Sequence, residues 1–200
     1  MKINNFSCEY PCGDIKKEMI FPRISINPET VKCIMVSECP PGNQSEYFYE
    51  NASGSFFQTT KIAFEDAGIV INEYKDLSDM GFYLTTAIKC CKEQYLVSAK
   101  TIKECALRFL GMELAQFPNK KVVMCMGDFA IKAINYIYKQ DHNIRPIKTG
   151  STYKIRKEVH IFNEIRFFPS YTQTGAGFNI EKSKRRMIAE DIEAAVGYFT

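Results

Sequence analysis

The residues best suited to chemistry in this sequence are its eight cysteines, which are accompanied by only two histidines. The first residues lack the continuous apolar stretch of a signal peptide, so we expect a cytoplasmic protein whose thiols stay reduced. A metal ion or a metal cluster is then favoured over a framework of disulfides. Because His142 and His160 are the only imidazoles, site chemistry is expected to depend on thiol, carboxylate, hydroxyl, amide or backbone groups.

Positive charge is concentrated in the C-terminal third of the chain. Residues 131–187 carry twelve Lys and Arg against four Asp and Glu, although the net charge of the whole chain is only +3. Such a concentration suits a polyanion such as nucleic acid. A solvated surface of mixed charge is the alternative explanation of the same residues.

Composition places the chain among globular proteins. Hydrophobic residues make up 46% and charged residues 24% of the sequence, which excludes a disordered or fibrous chain. No apolar run approaches the roughly 18 residues that cross a bilayer. A length of 200 residues suits one domain, and we expect residues 1–200 to form a single domain.

Apolar segments that predict buried strands alternate with amphipathic segments that predict helices. Strands are expected at residues 31–37, 79–89, 121–126, 159–162 and 164–168, and helices at residues 58–67, 98–117, 129–138 and 180–199. This alternation predicts an α/β fold, a three-layer sandwich with a central, mostly parallel four-stranded sheet flanked by helices. Ligands of such sheets bind beyond the carboxyl ends of the strands. One pocket is therefore expected between the loops that follow Ser37, Thr85, Met126 and Phe168.

Short motifs in these loops carry a resemblance to a known family. They are Ser-Glu-Cys-Pro-Pro-Gly (37–42), Gly-Ser-Phe-Phe (54–57), Thr-Thr-Ala-Ile-Lys-Cys (85–90), Met-Gly-Asp-Phe-Ala (126–130) and Pro-Ser-Tyr-Thr-Gln (169–173). In order and spacing they resemble motifs of the uracil-DNA glycosylase superfamily, and of its iron–sulfur class in particular. The resemblance implies the fold of that superfamily and a role in DNA repair, the hydrolysis of the N-glycosidic bond of a damaged or deaminated base.

The resemblance also implies a [4Fe–4S] cluster. Its thiolate ligands would be Cys8, Cys12, Cys90 and Cys105, with Cys91 as a substitute for its neighbour. The first pair has the spacing C-x3-C, where the family usually has C-x2-C. Four thiolates also suit zinc, and the alternative role of these cysteines is that of small buried hydrophobic residues. A cluster would be structural and would tie the N-terminal segment, residues 1–30, to the rest of the domain.

Two residues of the implied base pocket depart from the family pattern. Thr86 stands where the family has the Asn that reads uracil, and Thr172 stands where it often has a catalytic His that donates to the base. A hydroxyl cannot reproduce the paired donor and acceptor of an amide, so uracil specificity is not implied. Gln173 is a second candidate donor to the base.

Other residues have implied roles in the same pocket. Phe57 would stack on the extruded base, with Phe56 as its nearest rival. Glu38 would face the sugar, where a carboxylate positions water or offsets positive charge, or would instead cap backbone amides. Cys39 would contact the substrate, either as inert filler or, with a lowered pKa, as a nucleophile.

DNA phosphates would be contacted from the final loop and the closing helix. The implied contacts are Ser170, Tyr171, Lys182, Lys184, Arg185 and Arg186. The expected partner is therefore single- or double-stranded DNA, bound by a monomer. Two alternatives stay open: a catalytically weak or inactive DNA-binding member of the superfamily, and a protein that binds a small nucleobase or nucleotide in the same pocket.

Overall fold

The central sheet is built from apolar strands that are buried on both faces. A computed structural model of the chain describes residues 8–93, 96–175 and 177–200. Its strands are β1 (Ile15–Met19), β2 (Cys33–Ser37), β3 (Phe82–Thr86), β4 (Cys90–Lys92), β5 (Val122–Met126), β6 (His160–Phe162) and β7 (Ile165–Ser170). Its helices are α1 (Ser55–Asp66), α2 (Tyr74–Asp79), α3 (Ala99–Cys105), α4 (Gly111–Ala115), α5 (Asp128–His142), α6 (Thr152–Ile155), α7 (Gly177–Ile180) and α8 (Lys182–Phe199). A π-helical turn, Ala106–Leu110, joins α3 to α4.

The strand order of this sheet is β3-β2-β5-β7-β6. The first four strands are parallel and β6 is antiparallel to β7. The expected mostly parallel sheet is confirmed, but it has five strands rather than four because both short final strands join it. They are linked by Asn163 and Glu164, whose φ angles of 47° and 63° make the two-residue turn that suits the twist of a hairpin.

Two apolar layers cover the sheet. Side chains alternate along β2, so that Ile34 and Val36 pack in the layer that contains α3, α4 and α5, while Cys33 and Met35 pack in the layer that contains α1 and α8. This arrangement is the expected sandwich of helices around a central sheet. Within the described part of the chain, no helix combines the length and the apolar character needed to cross a membrane.

A second, two-stranded sheet attaches the N-terminal segment to the segment that follows β3. Strand β1 is antiparallel to β4, with Ile15 opposite Lys92 and Met19 opposite Cys90. The backbone N–H of Ile20 adds a bond of 2.6 Å to the carbonyl oxygen of Lys89. The sequence did not predict this pairing, which brings the early cysteines towards Cys90 through backbone hydrogen bonds.

Candidate functional site

A cavity of about 680 Å³ opens at the carboxyl edge of the parallel strands. Its walls come from the loops after β2, β5 and β7, from the start of α1 and from the end of β4. The side chains that line it include Glu38, Cys39, Phe56, Cys91, Lys92, Asp128, Phe129, Thr172 and Thr174. The expected pocket is therefore present between the loops after β2, β5 and β7, whereas no residue of the loop directly after β3, residues 87–89, lines it.

Glu38 is the partly buried carboxylate of this cavity. Its Oε1 accepts a hydrogen bond of 3.4 Å from the backbone N–H of Phe129, in the first turn of α5. Burial raises the pKa of Glu38, while the bond from Phe129 and the charge of Lys92 oppose that rise. Glu38 thus both caps a backbone amide and lines the cavity.

Gly127 makes the close approach of Glu38 to α5 sterically feasible. Its φ of 107° and ψ of 168° lie in a region that only glycine adopts readily. A Cβ atom on this residue would lie 2.7 Å from Glu38 Oε1 and 2.8 Å from its Cγ. Any side chain here must therefore displace the carboxylate.

We expect Gly127→Ala to destabilise the fold by about 1–3 kcal/mol and to lower any activity that depends on Glu38. Urea unfolding and an activity assay measure the two effects. Gly68→Ala is the matched control, because Gly68 also has a positive φ, 76°, but a Cβ atom there would meet nothing within 4 Å. Wild-type activity in the Gly127 variant would contradict the assigned placement of Glu38.

Cys39 lines the cavity as a neutral thiol. It is 7% exposed, and burial together with the adjacent charge of Glu38 raises its pKa far above the usual range of a thiol. A nucleophilic cysteine needs the opposite shift. The geometry therefore favours inert filler over a nucleophile at this position.

The final loop contributes two hydroxyls to the cavity wall. The hydroxyls of Thr172 and Thr174 lie 3.2 Å apart, and both residues line the cavity. Gln173 between them points into the core and is fully buried. Its Oε1 accepts from the Ser37 hydroxyl at 3.1 Å, and its Nε2 lies 3.1 Å from Met35 Sδ, so it does not face a ligand.

Phe57 and Thr86 do not line the cavity, in contrast to the sequence-based expectation. Phe57 is 1% exposed and its ring centroid lies 4.3 Å from that of Tyr74, whereas Phe56 lines the cavity. Neighbouring residues of a helix point to different sides, which explains why Phe56 lines the cavity and Phe57 does not. Thr86 is fully buried, and its hydroxyl lies 3.3 Å from the hydroxyl of Tyr47.

A buried ion pair lies beneath this end of β3, and sequence reasoning missed it. Lys89 Nζ lies 2.5 Å from a carboxylate oxygen of Glu113, and both side chains are almost completely buried. The same amine donates to the backbone carbonyl of Thr86 at 2.6 Å and to the hydroxyl of Thr85 at 2.8 Å. Tyr83 donates to Glu113 at 2.6 Å. The network fixes the chain as it leaves β3 and approaches the cavity.

Four cysteines meet in a second, smaller cavity with mostly apolar walls. They are Cys8, Cys12, Cys90 and Cys105. Burial and the neighbouring thiols raise the pKa of Cys90 to about 12 and that of Cys105 to about 11. Cys91 lines the larger cavity instead. Among the described residues, no group of three or more His, Cys, Asp or Glu side chains has a geometry that could hold a metal ion.

The residues expected to contact phosphates are mostly engaged within the protein. Ser170 is fully buried and donates to Asp191 at 2.5 Å, so its hydroxyl does not reach DNA. Three of the four basic side chains of α8 form ion pairs: Lys184 with Glu181, Arg185 with Asp66, and Arg186 with Glu190. Tyr171 lies partly exposed with its ring centroid 5.3 Å from Lys184 Nζ, and Lys182 is exposed.

Comparisons with known proteins identify the family of the chain. The family model of the Uracil DNA glycosylase superfamily matches residues 24–194, a span that contains every loop around the larger cavity. A Type-5 uracil-DNA glycosylase from Thermus thermophilus is 26% identical over 100 residues, which are 50% of this chain and 45% of that relative. The chain thus spans less than half the length of this curated relative. The family match over most of its length shows that the chain belongs to the uracil-DNA glycosylase superfamily.

Proposed function

We propose that this protein hydrolyses the N-glycosidic bond of a damaged or deaminated base in DNA. The observation that carries the proposal is the partly buried carboxylate of Glu38, held at the start of α5 and facing a cavity whose final loop presents hydroxyl groups. A cavity of this volume lies in the usual range for small-ligand sites, and it is large enough for an extruded nucleotide. Family membership supports the same class of reaction.

The reaction requires one water molecule and leaves a free base and an abasic sugar. The bond between C1′ and the base nitrogen breaks, and its electron pair goes to the base. The water oxygen bonds to C1′, and the proton lost by the water balances the negative charge left on the base. In this proposal Glu38 orients that water and offsets the positive charge of the oxocarbenium-like sugar. The hydroxyl of Thr172 donates to the base as negative charge builds on it.

Phe56 takes the role that the sequence analysis assigned to Phe57. Its ring lines the cavity and supplies an apolar wall against which an extruded base can stack. Thr174, absent from the sequence-based set, adds a second hydroxyl beside Thr172.

A second candidate function is DNA binding without excision. It is favoured by the burial of Thr86 and Gln173, because neither side chain is presented to a base in the cavity. A pocket that lacks these two side chains can hold a nucleotide without distinguishing its base or activating its glycosidic bond.

The two functions are separated by an excision assay. Labelled single- and double-stranded oligonucleotides carrying uracil, hypoxanthine, xanthine or oxidised bases are incubated with the protein, and alkali then converts abasic sites to strand breaks. Breaks that appear with the wild type on at least one lesion support excision. Salt-sensitive binding without breaks on any lesion supports the second candidate, and binding of free nucleobases alone would support a small-ligand function.

We also propose that Cys8, Cys12, Cys90 and Cys105 hold a [4Fe–4S] cluster. Four thiols face one cavity, which matches the donor set of such a cluster. Each thiolate of a [4Fe–4S] cluster bonds to a different iron, so the four sulfur atoms lie farther apart than the ligands of a single metal ion. Bound there, the cluster would act as a cross-link between the N-terminal segment and the segment after β3. Residues 1–200 would then form one domain.

Anaerobically purified protein is expected to be brown and to contain iron in excess over zinc. Cys90→Ser should lose the iron, because Cys90 faces the cavity of four thiols. Cys91→Ser is the matched control and should retain it, because Cys91 faces the larger cavity. Metal analysis and visible absorption measure both variants. Well-folded wild type without metal, or iron lost only from the Cys91 variant, would contradict the ligand set.

A further inference from the structure

The short helix α6 lies beside β7, the strand that leads into the final cavity loop. Strand β6 pairs only with Ile165, Arg166 and Phe167 of β7, so the rest of that strand's edge is not covered by β6. Helix α6 precedes β6 in the chain and packs against β7. It therefore approaches the end of β7 from which the final cavity loop, residues 171–175, departs.

A buried ion pair fixes α6 to the base of that loop. Arg156, which directly follows α6, donates to both carboxylate oxygens of Asp191 at 2.7 Å and 3.1 Å. Asp191 also accepts from the hydroxyl of Ser170, the last residue of β7. Because the two charges are almost completely buried, the position of α6 relative to the cavity loop is set by a rigid contact.

The outer side of α6 combines positive charge with an exposed aromatic ring. Tyr153 is 58% exposed, Lys154 and Lys157 are exposed, and Lys157 Nζ lies 5.8 Å from the centroid of the Tyr153 ring. Within residues 8–93, 96–175 and 177–200, neither lysine forms an ion pair. This distinguishes them from Lys184, Arg185 and Arg186 of α8, whose charges are each paired with an acid.

We propose that Tyr153, Lys154 and Lys157, the α6 surface, bind the single-stranded DNA that flanks the target nucleotide. The inference rests on the proposed function and extends it to residues outside the cavity. Lysines without acidic partners are free to neutralise phosphates, and an exposed tyrosine ring offers a face on which an unpaired base stacks. The α6 surface supplies phosphate contacts that the three basic residues of α8 with acidic partners do not supply.

Fluorescence anisotropy with a labelled, unmodified single-stranded oligonucleotide tests the proposal over a series of salt concentrations. Lys154→Glu/Lys157→Glu is expected to reduce the slope of log affinity against log salt by about 1.4, since each phosphate contact on a single strand contributes about 0.7. Tyr153→Ala is expected to weaken binding by about tenfold or more with little change in slope.

The matched control is Lys139→Glu/Arg145→Glu, which changes the net charge by the same amount. Helix α5 starts at the cavity and is 15 residues long, so it extends about 22 Å away from it; Lys139 lies in its last turn and Arg145 follows its end. An unchanged slope in the control together with a reduced slope in the α6 variant supports the proposal. Equal slopes in both double variants overturn it, whether both match the wild type or both fall.

Failure of the α6 proposal is distinguishable from failure of the proposed function. If the wild type excises a base and binds DNA while the α6 variants bind equally well, the α6 proposal is wrong and the function stands. If the wild type binds no oligonucleotide at low salt, the proposed function is contradicted and the α6 proposal falls with it.

Discussion

Replacing Glu38 with glutamine is expected to lower the single-turnover rate of base excision by about 10²–10⁴-fold, the usual contribution of a positioned acid–base group. The amide has the size of the carboxyl group, and its oxygen can still accept the N–H of Phe129, so the fold should be retained. What is lost is the negative charge next to the sugar and the ability to accept a proton from water.

The pH dependence of the wild type gives the same residue a second signature. Because burial raises the pKa of Glu38, its protonated form persists to higher pH than in an exposed glutamate. The excision rate of the wild type should therefore fall on the acid side at a pH above the ordinary range for glutamate. The Glu38→Gln variant should lack this acid limb.

Asp128→Asn is the control for this prediction. Asp128 lines the same cavity, but its carboxylate is exposed and paired with Lys132. Its loss should change excision much less than the loss of Glu38. Equal rates in wild type and Glu38→Gln, or an equal fall in the two variants, would contradict the assigned role of Glu38.

Lys89→Met is expected to destabilise the protein by about 3–5 kcal/mol, the cost of leaving one partner of a buried ion pair without the other. The substitution leaves Glu113 buried without its cation and removes the donor to the carbonyl of Thr86. Urea unfolding at neutral pH measures the free energy of unfolding. The double variant Lys89→Met/Glu113→Leu should lose less free energy of unfolding than the two single variants lose in sum, because no uncompensated charge is then buried.

Lys132→Met is the matched control for this experiment. Its ion pair with Asp128 is exposed at both ends, and such pairs contribute about 0–1 kcal/mol. If Lys89→Met lowers the free energy of unfolding no more than Lys132→Met does, the buried pair does not hold the chain at the end of β3.

The parallel part of the fold was predictable because its strands are short apolar runs. Strand β2 and its neighbour β5 are buried along their whole length, and the pattern of buried strands and amphipathic helices specifies a sandwich. Strand β1 was not predictable, because three of the five residues of Ile15–Met19 are charged and its partner Cys90–Lys92 lies far away in the sequence. Pairing between such segments depends on tertiary contacts rather than on local periodicity.

The candidate site was predictable to the level of the loop but not of the individual side chain. Glu38, Cys39 and Thr172 line the cavity as expected, whereas Phe57 and Gln173 point into the core. For Phe57 and Gln173 an adjacent residue along the chain faces the cavity instead, whereas Thr86 is buried and neither of its neighbours lines the cavity. The choice between neighbours depends on the local backbone direction, which composition does not record.

The buried pair of Lys89 and Glu113 illustrates a different limit. A lysine in an apolar segment is normally expected at the surface, and only a carboxylate from a distant helix makes its burial tolerable. The two residues are separated by 24 positions, and nothing in the local sequence around either one identifies the other.

The central claim is that the larger cavity carries out hydrolysis of a glycosidic bond, and mass spectrometry of the reaction in heavy-oxygen water tests it most directly. A lesion-bearing oligonucleotide is incubated with the wild type in water enriched in the heavy isotope, and the hydroxyl is trapped by immediate reduction of the abasic product. We expect release of the free base and one heavy oxygen atom on the abasic sugar, with both products strongly reduced in Glu38→Gln. An oligonucleotide that stays intact while bound to the wild type would contradict it.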